Sequence, residues 1–101
     1  MRSAIATPVQ RVDILNALRW IMDPEIGVDI VTLGLVYGVT IERGDVRIVM
    51  TMTTRGCPLH ATITEAVHDA LRWLDGVGAV TVELVWEPPW HPAMIDRVSL
   101  P

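Results

Sequence analysis

The sequence predicts a two-layer α+β domain of helix-hairpin-helix-strand order, with helices covering one face of a small mixed sheet. Three observations predict it. "LVYGVTI" and "VRIVMTM" alternate residue by residue on either side of a short "ERGD" link. Two stretches, one after Gln10 and one after Cys57, repeat apolar residues at helical spacing. A last alternating run, "AVTVELVWE", follows the second of these.

The first helix opens at "ATPVQ", with Thr7 as N-cap, Pro8 at the first helical position and Gln10 at the capping-box position. Val12, Leu15, Leu18 and Met22 form its apolar stripe, and Pro24 is expected to end it near Asp23. "DPEIGVDIVTLG" has no period and reads as an ordered loop. In the hairpin, Leu35, Tyr37, Val39 and Ile41 should face one side of the first strand. Val46, Ile48, Met50 and Met52 should do so on the second, with Gly44 at positive φ in the turn. Leu59, Ile63, Ala66, Val67, Ala70, Leu71 and Leu74 trace the long second helix, which Gly76 stops. Val80, Val82, Leu84 and Trp86 share one face of the third strand, and residues 87–101 form a proline-rich tail with one helical turn. The strand order is not set by this pattern.

Length and composition narrow the function. A chain of 101 residues suits one domain, 1–101. Twelve acidic and eight basic residues give a formal charge of −4, and every basic side chain is arginine. No basic cluster or aromatic series suits nucleic acid. No apolar run approaches the ~20 residues of a membrane span, and the N-terminus lacks a secretory h-region, so the expected compartment is the cytoplasm. One cysteine makes no internal disulfide, and by itself it is too few for a structural zinc or cluster site, which takes about four ligands.

That cysteine sits in "TMTTRGCPLH", where a strand hands over to a helix. Cys57 before Pro58 reads as the N-cap of the long helix, its sulfur facing unpaired amides and the positive end of the dipole, which favour a thiolate. Arg55 adds positive charge and Gly56 permits close approach. The local sequence equally fits a small helix-start residue with no chemistry. Thr53 and Thr54 read singly as strand-end residues. His60 lies one turn from Cys57; a solvated histidine is the preferred reading over a Cys/His metal pair. His68 and His91 read as surface residues. Asp23 and Glu25 bracket Pro24, either as solvated acids of a turn or as a carboxylate pair near the thiol, able to bind metal or move a proton. Trp86 and Trp90 read as a wall or a partner-binding interface.

"MDPEIGVDIVTLGLVYGVTI", "TMTTRGCPLHATITEAV" and "VTVELVWEPPWHPAMI" together resemble the SufT/PaaD-like iron–sulfur cluster assembly domain family over residues 20–96. The resemblance implies a KH-like two-layer domain of the iron–sulfur-assembly type. It also implies a role in maturing metal–sulfur proteins, and a functional cluster of Asp23, Glu25, Thr53, Thr54 and Cys57. The chain departs from the family pattern at Gly27, Asp29 and Thr32, where proline, asparagine and aspartate are common, and at Arg55. It also ends at Pro101 without the cysteine-bearing C-terminal region of PaaD proteins that serve a ring-epoxidising oxygenase. The general SufT-like reading is therefore expected.

The leading expectation is a non-enzymatic accessory factor in iron–sulfur cluster assembly or transfer. Cys57 would be a thiolate ligand to transient iron or a transient cluster, with Asp23 and Glu25 assisting. Thr53 and Thr54 would donate hydrogen bonds to the sulfur or position the loop. The missing ligands would come from an assembly protein, a client apo-protein, a small thiol or a homodimer joining two Cys57 thiolates. The alternatives are a cysteine-dependent thiol- or acyl-transfer enzyme with His60 or Glu25 as base, and a non-catalytic adaptor docking clients of a metal-dependent oxygenase or similar system.

Overall fold

A computed structural model of the protein describes residues 8–54 and 60–96. Among the described residues, helix first sets in after Gln10, and α1 runs Arg11–Leu18. The Gln10 backbone N–H donates to Asp13 Oδ2 at 2.9 Å, so the helix closes its own first turn. The helix thus begins three residues later than Pro8 suggested, and the expected cap, Thr7, lies outside the described residues. Its buried face is also turned from the expected one. Ile14 and Leu18 are fully buried and continue into Ile21, whereas Val12 and Met22 are exposed. Both stripes satisfy a helical period and share Leu18; packing into the core against the second helix and the first strand decides between them. The helix stops at Leu18, well before Pro24. Trp20 N–H and Ile21 N–H donate to carbonyls only three residues back, at 3.2 and 3.0 Å, which tightens the exit.

β1 (Val36–Glu42) and β2 (Asp45–Met50) form the expected antiparallel hairpin. Glu42 pairs with Asp45, leaving Arg43 and Gly44 at φ 53° and 86°. Two positive φ values in a two-residue link make a type I′ turn, whose twist matches the strands. Gly44 is required twice over, because a Cβ there would stand 2.7 Å from the Gly76 carbonyl oxygen.

Val46, Ile48, Met50 and Met52 are buried as their alternation requires. β1 carries a bulge between Val36 and Gly38, so Val36 opposes Met50 while Val39 opposes Ile48. Val36 therefore replaces Tyr37 on the inner face, because the extra residue shifts the pleat by one. β3 (Val80–Leu84) lies parallel to β2, with Val80, Val82 and Leu84 opposite Val46, Ile48 and Met50. The strand order is β1-β2-β3, a mixed sheet.

α2 (His60–Arg72) buries Ile63, Val67 and Leu71 at intervals of four, flanked by half-buried Ala66, Ala70 and Leu74. Gly76 follows at φ 88°. Leu59 lies outside the described residues. These side chains, with those of α1 and the inner strand positions, form one core. The opposite sheet face carries Thr40, Arg47, Thr81 and Glu83, with an exposed Arg47–Glu83 ion pair across β2 and β3 that contributes little to stability. The last element among the described residues is a 3-10 turn at Pro92–Met94, as the proline-stiffened tail suggested. No helix among the described residues is long and apolar enough to cross a membrane.

Burial divides neighbouring residues of β2 sharply. Ile48→Ala is expected to destabilise the fold by about 2–5 kcal/mol, through lost transfer energy and a residual cavity. Val49→Ala, on the half-buried opposite face, should cost below about 1.5 kcal/mol. Chemical denaturation of both variants checks this.

Candidate functional site

The sheet topology gathers three segments at one end. β2 finishes there, and Thr51 N–H donates to Leu35 O at 2.8 Å, just before β1 begins. Val85 N–H donates to Met50 O at 2.8 Å, just after β3 ends. The α1–β1 segment, the Thr51–Thr54 strand end and the C-terminal tail therefore meet at this end of the sheet, and α2 sets out from it.

Asp23 is the buried acid of the set, at 4% exposure. Its Oδ1 accepts from Glu25 N–H at 2.8 Å and Ile26 N–H at 3.2 Å. Its own carbonyl accepts from Gly27 N–H at 2.7 Å and Ile26 N–H at 3.3 Å. Asp, then Pro at the second position, is the residue order such a turn needs. Asp23 is thus not the solvated acid of the blander reading. It is a buried carboxylate that builds the turn, with Oδ1 already engaged. Glu25, two residues on, is exposed. Thr53 is half-buried and Thr54 exposed. Cys57, Arg55, Gly56 and Pro58 lie outside the described residues, as does the side chain of His60. Among the described residues no group of three His, Asp or Glu side chains converges to hold a metal ion.

Sequence reasoning missed two parts of this end. The first is Asp29, whose Oδ2 accepts from Val31 N–H at 3.1 Å and Thr32 N–H at 2.9 Å, a second side-chain-built turn. Asp29 also bridges to Met22, and Asp23 N–H donates to Val28 O at 2.9 Å. The Asp23 turn is therefore the tip of a small hairpin whose base is the Asp29 turn. The signal was present in "DIVT", an acid whose following amides lack strand or helix partners. The second is Thr51, fully buried, whose hydroxyl finds no hydrogen-bond partner among the described residues.

The tryptophans sort unexpectedly. Trp86 and Trp90 are half-buried against the core, and the Trp90 indole N–H donates to Leu33 O at 2.7 Å. The exposed tryptophans are Trp20, at 86%, and Trp73. Trp20 stands beside the Asp23 turn with exposed Met22 and Ile26.

With this geometry in hand, comparison with known proteins is specific. The profile of a family described as iron–sulfur cluster assembly protein matches residues 11–84. The chain belongs to this family. It is 49% identical over 88 residues to the Fe-S protein maturation auxiliary factor YitW of Bacillus subtilis, covering 86% of each protein. It is 40% identical over 80 residues to the Fe-S protein maturation auxiliary factor SufT of Staphylococcus aureus, covering 78% of this chain and 91% of that one. Among solved structures, a conserved hypothetical protein of Thermotoga maritima superposes with a TM-score of 0.82 at 40% identity, over 93% of each chain.

Two of the departures noted in the sequence, at Asp29 and Gly27, have local explanations. Asp29 uses a carboxylate oxygen where an asparagine would use its amide oxygen, so the turn survives. Gly27 sits at φ +78°, which is closed to proline, and its N–H is engaged. The turn here is closed by glycine geometry instead.

The two jobs of Asp23, turn-building and charge, are separable. Asp23→Asn retains an acceptor for Glu25 and Ile26 and is expected to cost below about 1 kcal/mol. Asp23→Ala leaves two amides without their acceptor and should cost about 1–3 kcal/mol. Equilibrium unfolding of the pair measures the difference.

Proposed function

We propose that the protein is an accessory factor in the maturation of iron–sulfur proteins, acting in the cytoplasm, that assists assembly or transfer of clusters without a catalytic reaction of its own. The observation that carries the reading is the match to named maturation auxiliary factors over most of both chains. The cluster, or its iron, is cargo.

The chemistry follows from the donor set. Cys57 is the chain's one thiol and supplies a single soft ligand, so a cluster must draw further ligands from another molecule. A second copy, an assembly protein or the receiving apo-protein fits that need, and a shared ligand set suits transfer because the cargo is never fully enclosed. At Asp23, Oδ1 is committed to two amides, so ligation or proton exchange falls to Oδ2. Glu25 is exposed and free to swing toward an incoming ion. Thr53 and Thr54 extend from the buried end of β2 and supply hydroxyl donors for a thiolate or sulfide. A role for Cys57 as an enzymatic nucleophile would need a base held beside it.

Anaerobic incubation with iron and sulfide tests the reading on the wild type, Cys57→Ser and Asp23→Asn. Expected are cluster absorption and less than one cluster per chain on the wild type, with none on Cys57→Ser and lower iron on Asp23→Asn. Equal iron and sulfide on wild type and Cys57→Ser would overturn the role given to the thiol.

A further inference from the structure

The tail does not take part in the chemistry above, yet it is fastened to the functional loop at successive residues. Asp96 N–H donates to Thr32 O at 2.7 Å. Trp90 Nε1–H donates to Leu33 O at 2.7 Å. The Met94 carbonyl oxygen lies 2.5 Å from where a Cβ on Gly34 would stand, and Gly34 is at φ +80°, so only glycine lets the tail come this close. Behind these contacts, Tyr37 O–H donates to Pro88 O at 2.7 Å, tying the tail's start to the β1 bulge.

We propose that the tail, residues 86–96, is a latch that positions the Asp23 turn, with Trp90 as its principal positioning residue. The physical route is continuous. Leu33 passes from the Trp90 indole at its carbonyl to Asp29 at its N–H, which donates to Asp29 O at 3.0 Å. Asp29 bridges to Met22, the residue before Asp23. Thr32 ties three elements: its N–H to the Asp29 carboxylate, its carbonyl to Asp96, and its hydroxyl to the Arg19 guanidinium at 3.4 Å, just after α1.

Leu33 is fully buried and Thr32 nearly so. This burial holds with the tail docked, so removing the indole N–H while the ring stays in place leaves the Leu33 carbonyl buried and unpaired, which is costly. The segment would relieve that cost by opening, and the base of the Asp23 hairpin would open with it. This assigns the half-buried Trp90 an internal task. The consequence for maturation rests on the proposed function; the coupling of tail to turn does not.

Trp90→Phe tests the latch, because it keeps an aromatic ring and removes the N–H donor. Tyr37→Phe is the second variant, releasing the other end should the first fold poorly. Amide hydrogen exchange is followed by mass spectrometry on both, beside cluster occupancy of an apo [4Fe–4S] protein incubated with each chain, iron and sulfide. The expected result is exchange about five- to ten-fold faster across residues 22–35, with β2 and α2 at wild-type rates. Client occupancy should fall along with it. Acceleration confined to residues 86–96, no change anywhere, or a uniform rise through β2 and α2 would each overturn the latch. If 22–35 accelerates but the wild-type chain itself never raises client occupancy, the latch stands and the maturation reading fails.

Discussion

Two carboxylates hold the backbone of the α1–β1 segment, and the candidate site depends on them. The segment has no regular secondary structure, yet Ile30, Thr32, Leu33 and Leu35 within it are buried. Backbone amides in such a place need partners that neither helix nor sheet supplies. Asp23 takes two of them and Asp29 takes two more. The result is an ordered hairpin seated where β2 and β3 end, and it carries the acids that the proposed chemistry uses.

Asp23 therefore combines structural and chemical demands in one side chain. A carboxylate with one oxygen fixed by amides offers its second oxygen at a defined place, which suits a weak single contact to iron better than a full cage. Glu25 has the opposite character: its backbone N–H is held by the turn, but the residue is exposed. In the proposed role, Asp23, the exposed Glu25 and the Cys57 thiolate make an incomplete set for any iron species. Incompleteness is the property a transfer site needs, since the acceptor must be able to supply ligands of its own. The chemistry of the donor set is thus consistent with the role that the family relationship supports.

The parts of this fold legible in the sequence are those decided by local rules. Gly44 announced its turn, Val46, Ile48 and Met50 their burial, and Ile63, Val67 and Leu71 the inner face of α2. The parts that were not legible depend on partners distant in sequence. Val12 and Ile14 begin two equally periodic stripes, and only the tertiary packing of α1 against α2 and β1 selects the second. The β1 bulge moves Tyr37 off the inner face, where its hydroxyl meets Pro88, fifty-one residues away. Trp90 reads as part of a wall or a partner-binding interface, and its bond to Leu33 depends on a residue 57 positions away. For the site, Asp23 and Glu25 stood out by motif, but the burial of one and exposure of the other follow from a turn that Asp29 and the tail complete. The placement of Cys57 lies outside the described residues, so its role rests on its chemistry and its motif.

The most direct measurement is made in cells lacking this chain. An iron–sulfur enzyme is assayed for activity and bound iron per unit of its polypeptide, beside a metal-free enzyme as control. The account predicts unchanged polypeptide, reduced iron and activity, and recovery with the wild-type chain but not with Cys57→Ser. Full cluster occupancy in the deletion strain, or equal recovery with Cys57→Ser, would contradict it.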